Sequence, residues 1–200
     1  MKKAALVILL MTLPVLMRAG GPRLSFGLEW GYTSTFLKTS QHNFICEEGY
    51  RIIENPVSWR YLSNGAVLAR AGADLTENIN LSLYSGLLGV YSKRWIVPLE
   101  LRMRWCPSGL YNEGILLQAG GGLGFPTSSL YETGARAVAG VGYRLPIYRT
   151  LSVDLILSWN FTLDSETILD PDTGDKVPRY RITSNSTEYQ AFNLSIALNF

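Results

Sequence analysis

The chain has one histidine, His42, and two cysteines, Cys46 and Cys106, among 200 residues. A single imidazole limits the acid–base and metal chemistry available. Zinc-ligand spacings, phosphate-binding loops and dinucleotide fingerprints are absent. Beyond the first twenty residues no run is apolar enough to form a transmembrane helix. Any membrane span must therefore be made of strands. The formal net charge is only +2, which gives no cationic surplus pointing to nucleic acid.

The N-terminus reads as an export signal. Lys2 and Lys3 precede an apolar run from Ala4 to Leu16, and Ala19, Gly20 and Gly21 offer small residues for cleavage. Met17 occupies a site where a small residue is preferred. The run is short of the roughly 20 residues that a spanning helix needs, and the lack of a cysteine after it argues against a lipid anchor. Residues 1–20 are expected to be a signal peptide and residues 21–200 a single domain. Loss of Lys2, Lys3 and Arg18 turns the net charge from +2 to −1.

The rest is dominated by alternation. From Phe192 onward, Phe192, Leu194, Ile196, Leu198 and Phe200 are apolar, and Asn193, Ser195, Ala197 and Asn199 between them are polar or small. A period of two means a strand with unlike faces. Seven earlier segments repeat the pattern. They are Leu24 to Tyr32, Trp59 to Leu75, Ile79 to Tyr91, Trp95 to Trp105, Ile115 to Leu123, Ala135 to Tyr143 and Leu151 to Phe161. Strands of about 10 residues, tilted near 45°, give roughly 24 Å of height, which matches an outer-membrane hydrocarbon band.

The two faces decide which way the barrel is turned. All five tryptophans fall on the apolar parity. Trp30, Tyr32, Trp59, Tyr91, Trp95, Trp105, Tyr143, Trp159 and Phe200 are expected to form aromatic girdles at the strand ends. The other parity carries Glu29, Arg70, Asp74, Glu100, Arg102, Arg104, Arg144 and Asp154, four acids and four arginines. An eight-stranded interior is just wide enough to be filled by side chains, so a charge-balanced plug is expected. Glycines on the same parity leave volume for it. An eight-stranded, all-β antiparallel barrel with short periplasmic turns needs long surface links at residues 33–56 and 163–187. This puts Cys46 and Cys106 at opposite ends, too far apart to pair.

The segments LSFGLEWGY, NINLSLYSGLLGVY, ILLQAGGGLGF, GVGYRL, LSVDLILSW and FNLSIALNF resemble the small outer-membrane β-barrel proteins of Gram-negative bacteria, the OmpA/OmpX-like type. The resemblance implies that the strand ending at Phe200 is the signal read by the barrel-assembly machinery. The partners it implies are periplasmic chaperones, that machinery, outer-membrane lipid and lipopolysaccharide. Functions in that group range over adhesion, envelope structure and lipid enzymes, so the fold alone does not select one.

Catalytic candidates are few. Tyr61-Leu62-Ser63 is similar to the His-x-Ser stretch of barrel lipid A deacylases, with Tyr61 at the histidine position. Tyrosine is a poor base near neutral pH. Asp170 to Asp175 offers oxygen ligands, but in the pattern of an ordinary turn. No cofactor, metal or catalytic residue is assigned. Three functions remain: surface loops presented for structural, adhesion or binding roles, a lipid A ester hydrolase, and a narrow solute or proton conduit.

Overall fold

Alternating strands can bury backbone polar groups in a membrane only if the sheet closes on itself. The computed structural model describes residues 23–91, 94–129, 131–148 and 151–200, and the expected signal segment lies outside them. The strands are β1 (Leu24–Ile45), β2 (Arg51–Glu54), β3 (Val57–Asp74), β4 (Ile79–Tyr91), β5 (Arg94–Trp105), β6 (Gly114–Pro126), β7 (Gly134–Tyr148), β8 (Leu151–Asp164) and β9 (Ile182–Asn199). Each pairs antiparallel with its neighbour, and β1 pairs with both β3 and β9. The result is an eight-stranded ring, with β2 a short ninth strand on the outer end of β1.

Polarity is inverted. Along β5 every second side chain is buried, from Arg94 through Glu100 and Arg102 to Arg104, while Leu99, Leu101 and Met103 are exposed. On β9 the exposed set is Phe192, Leu194, Ile196, Leu198 and Phe200. The interior is polar and the outer surface is grease.

Three features differ from the sequence reading. The link at 33–56 is largely strand, whereas 163–187 keeps a loop at 165–181 between β8 and β9. β1 pairs with β9 as far as Phe44↔Ile182, and on its other edge it pairs with β2 and then β3, which are separated at Pro56, whose carbonyl accepts from the Ser40 amide at 3.0 Å. Residues 33–43 are mostly Thr, Ser, Lys, Gln and Asn, so hydropathy alternation fades where backbone pairing continues. Tyr91 is not in a girdle. The β4–β5 register slips between Gly89 and Tyr91, which reverses the parity and turns the ring inward against buried Tyr189 at 5.6 Å. Finally, Trp30 and Trp159 lie well inside their strands rather than at the ends, whereas Trp95 and Trp105 do mark the ends of β5.

Glycine makes the packing between wall and lumen possible. A Cβ on Gly120 would collide with the Leu101 carbonyl and lie 2.7 Å from Cγ of Arg102. Gly120→Ala is expected to lower unfolding free energy by about 1–3 kcal/mol, the range for an overpacked interior. Urea titration in detergent, followed by tryptophan fluorescence, checks this.

Candidate functional site

The lumen is filled in layers, each supplied by inward positions of several strands. In the lower layer Asp154 on β8 gathers three partners. Arg144 approaches it through Nε at 2.7 Å and Nη2 at 2.9 Å, Arg104 pairs with it, and Asn199 donates at 2.9 Å. In the middle layer Glu100 accepts from Arg102 at 2.8 Å and Arg136 at 2.6 Å. Arg102 also reaches Glu29 at 3.4 Å, and Glu29 accepts from Ser195 at 3.0 Å. Arg102 lies 4.2 Å from the ring centroid of Tyr84. Above that is an apolar layer containing Leu68, Leu88, Ile96 and Val90. The outermost layer is polar again. Arg94 pairs with Asp164 and donates to the Tyr189 hydroxyl at 2.8 Å, Tyr189 donates to Glu166, and Lys38 donates to Glu166 at 2.7 Å.

Of the eight charged residues picked from sequence, Glu29, Arg70, Glu100, Arg102, Arg104, Arg144 and Asp154 are buried in the lumen. Asp74 is only half-buried, at the mouth opposite the cap, where Asn80 and Tyr111 donate to it at 2.7 and 2.5 Å. Arg94, Arg136 and Asp164 also belong to the interior, so its charges do not balance one to one. Arg136 falls on the polar parity of the Ala135–Tyr143 segment, so the alternation itself carried the signal that finds it. Arg94 and Asp164 stand at strand ends, where the alternation gives no phase.

The surface cap is built from the β1–β2 hairpin and residues 165–181. Phe44, Cys46, Ile168 and Val177 form its buried apolar contact. Asp170 accepts from the Glu47 amide at 2.8 Å and the Asp172 amide at 3.0 Å, and Tyr50 donates to Asp172 at 2.7 Å. Cys46, Asp170 and Asp172 approach one another closely, but these hydrogen bonds already account for the carboxylates as loop ties. Backbone donation holds Asp170 below the ordinary carboxylate range. Burial pushes Glu166 up, and hydrogen bonds from Lys38 and Tyr189 outweigh it and leave the group lowered. Cys46 and Cys106 are both free, in the cap and near the periplasmic turn respectively.

Among the described residues no histidine stands beside Ser63. Ser63 lies opposite Ser34, whereas His42 is eight positions farther along β1, about 26 Å at the usual rise per residue. Tyr61 is exposed on the outer face.

No protein-family model matches the sequence, and no curated protein matches it. Solved structures do. The outer membrane protein AlkL, determined in lipid bilayers, superposes with a TM-score of 0.51 at 11% identity, covering 91% of this chain and 92% of that one. The outer membrane protein OprG from Pseudomonas aeruginosa gives a TM-score of 0.50 at 11% identity, covering 90% and 97%.

Two outcomes are expected. Asp154→Asn leaves Arg104 and Arg144 buried without their counter-ion and should cost about 3–5 kcal/mol of stability, read by urea unfolding in detergent. Because the folded-state pKa of Asp170 is depressed, its ties are in place above the unfolded value of about 3.9 and are lost as pH falls through the lower folded value. Hydrogen exchange at the Glu47 and Asp172 amides, corrected for intrinsic rates, should be protected at pH 7 and lose that protection in this acid window. By its inverted polarity, its ring closure and its likeness to AlkL and OprG, this chain has the fold of the small outer-membrane β-barrels.

Proposed function

We propose that this protein is an outer-membrane barrel that passes a small, largely apolar molecule between its capped outer half and the surrounding lipid, through the side wall rather than along the lumen. The observation that carries this reading is an interruption in the β4–β5 ladder. Pairing runs from Ile79↔Trp105 to Ser85↔Leu99 and resumes at Leu88↔Ile96, with Gly86 and Leu87 unpaired to Pro98 and Val97. Proline has no N–H to donate, and β5 keeps its full pairing with β6 at the same level. Gly86 takes a φ of 153°, which a side chain would strain.

The surroundings suit an apolar guest. Outside the interruption stand Leu83, Leu87, Val97 and Leu99, and inside it Tyr84, Leu88 and Ile96. The charged middle layer closes the path below, and a hydrated ion would have to break those pairs to pass. Lipid and lipopolysaccharide are the environment in this reading, and the assembly machinery and periplasmic chaperones act during biogenesis. A second reading, binding at the cap itself, is favoured by exposed Tyr50, Ile53 and Tyr180 on its surface.

Pro98→Ala restores the donor. A hydrogen bond of about 1 kcal/mol biases an opening roughly fivefold toward closed. Cells producing the wild type should take up a small apolar fluorophore into the envelope faster than cells without it, and P98A should slow this about fivefold. Equal rates for P98A and wild type overturn the wall route, and steady ion conductance in planar bilayers overturns the closed lumen.

A further inference from the structure

The cationic surplus of the lumen is confined to one place. Arg94 pairs with Asp164 at the top, and Arg102 and Arg136 meet Glu29 and Glu100 in the middle. The lower layer holds Arg70, Arg104 and Arg144 against Asp154, which Arg104 and Arg144 already engage, and the half-buried Asp74 at the mouth is paired with none of them. Arg70 is 6% exposed, and among the described residues no carboxylate lies within ion-pair distance of it. Its acceptors are all neutral: the amide oxygen of Asn199 at 3.0 Å, Ser82 at 3.1 Å, and Ser25 and Asn80 at 3.4 Å. The same Asn199 oxygen also accepts from Arg104 at 3.0 Å. Two guanidinium groups thus share one uncharged oxygen, and an uncompensated buried cation is costly.

A cavity of about 190 Å³ adjoins these groups. Arg70, Arg104, Arg144, Asn80, Ser25 and Asn199 are among its lining residues. It shares Asp74, Leu110 and Tyr111 with a wider depression of about 670 Å³ at the periplasmic rim. Asp74, committed to Asn80 and Tyr111, sits at the mouth between the two. The inner volume is below the ~300 Å³ of pockets for drug-sized ligands.

We propose that this vestibule is a binding site for a small oxyanion, a phosphate or a short carboxylate, drawn from the periplasmic side. The guest supplies the negative charge that Arg70 lacks. Two fixed arginines give it the planar, directed donors that such groups favour, and the Ser25 hydroxyl, which accepts from Arg70 and Asn80, can turn its own proton toward it. The site lies at the opposite end of the barrel from the cap and does not depend on the wall route.

The test uses the full mature chain, refolded in uncharged detergent and titrated with inorganic phosphate at pH 7, with binding read by calorimetry. Saturable one-to-one binding is expected, together with a higher thermal midpoint in phosphate. Arg70→Gln should weaken binding about tenfold or more, since a charge-assisted contact is lost. Ser25→Asp places an internal carboxylate beside an intact Arg70 and should abolish binding. Arg179→Gln, on the exposed surface, should leave it unchanged. Acetate in place of phosphate separates carboxylate from phosphate selectivity. Nanodiscs with phosphatidylglycerol, compared with phosphatidylcholine alone, separate a lipid headgroup from a free anion, because a headgroup in the site suppresses phosphate binding. The proposal is overturned if the wild type shows neither saturation nor a stability gain. It is also overturned if either R70Q or S25D, once shown by heat-modifiable mobility to be folded, binds phosphate as the wild type does.

Discussion

The structure depends on satisfying charge inside a cylinder that water does not freely enter. With apolar side chains turned to lipid, the arginines and acids have nowhere to go but the centre. There each must find a partner fixed by strand register. Asp154 binds β8 to β5, β7 and β9 through Arg104, Arg144 and Asn199, and Glu100 binds β5 to β7 through Arg136. A slip of one residue in any strand would send these groups into the bilayer. The ion pairs therefore act less as a source of net stability than as a lock on register.

The lock is not uniform along the axis. Two ionic layers fill the lower and middle lumen, an apolar layer follows, and a polar lid of Arg94, Asp164, Tyr189, Glu166 and Lys38 closes the outer end. Lys38 also lies within 5.4 Å of the Tyr91 ring and 5.7 Å of the Tyr189 ring. The aromatic pair thus joins the apolar layer to the lid. The β4–β5 ladder is interrupted beside the apolar layer, at the level of Pro98. Breaking the ladder beside the ionic layers instead would bring lipid against charge.

How much of this was legible in the sequence follows from how strongly each segment alternates. The stretch Trp95 to Trp105 reads cleanly because large apolar side chains are set against Glu100, Arg102 and Arg104. The ring of eight strands and the opposite placement of the cysteines follow from the same pattern. Tyr91 could not be placed, because one residue of slip at a bulge reverses parity without changing composition. Arg136 was legible from the alternation, on the polar parity of the Ala135–Tyr143 segment, although small alanines set its phase less strongly. The upper reaches of β1 are rich in Thr, Ser and Asn, and looked like loop because both sides of the sheet there meet polar surroundings.

The strands differ greatly in length. β1 runs for 22 residues and β3 and β9 for 18 each, whereas β4, β5 and β6 run for 13, 12 and 13. The barrel is therefore an obliquely cut tube, tall at the seam and low on the far side. Seen from the capped end, the rim is a parapet on one side and a low sill on the other. That sill is formed by the β4–β5 hairpin, a few residues above the gap in its own ladder.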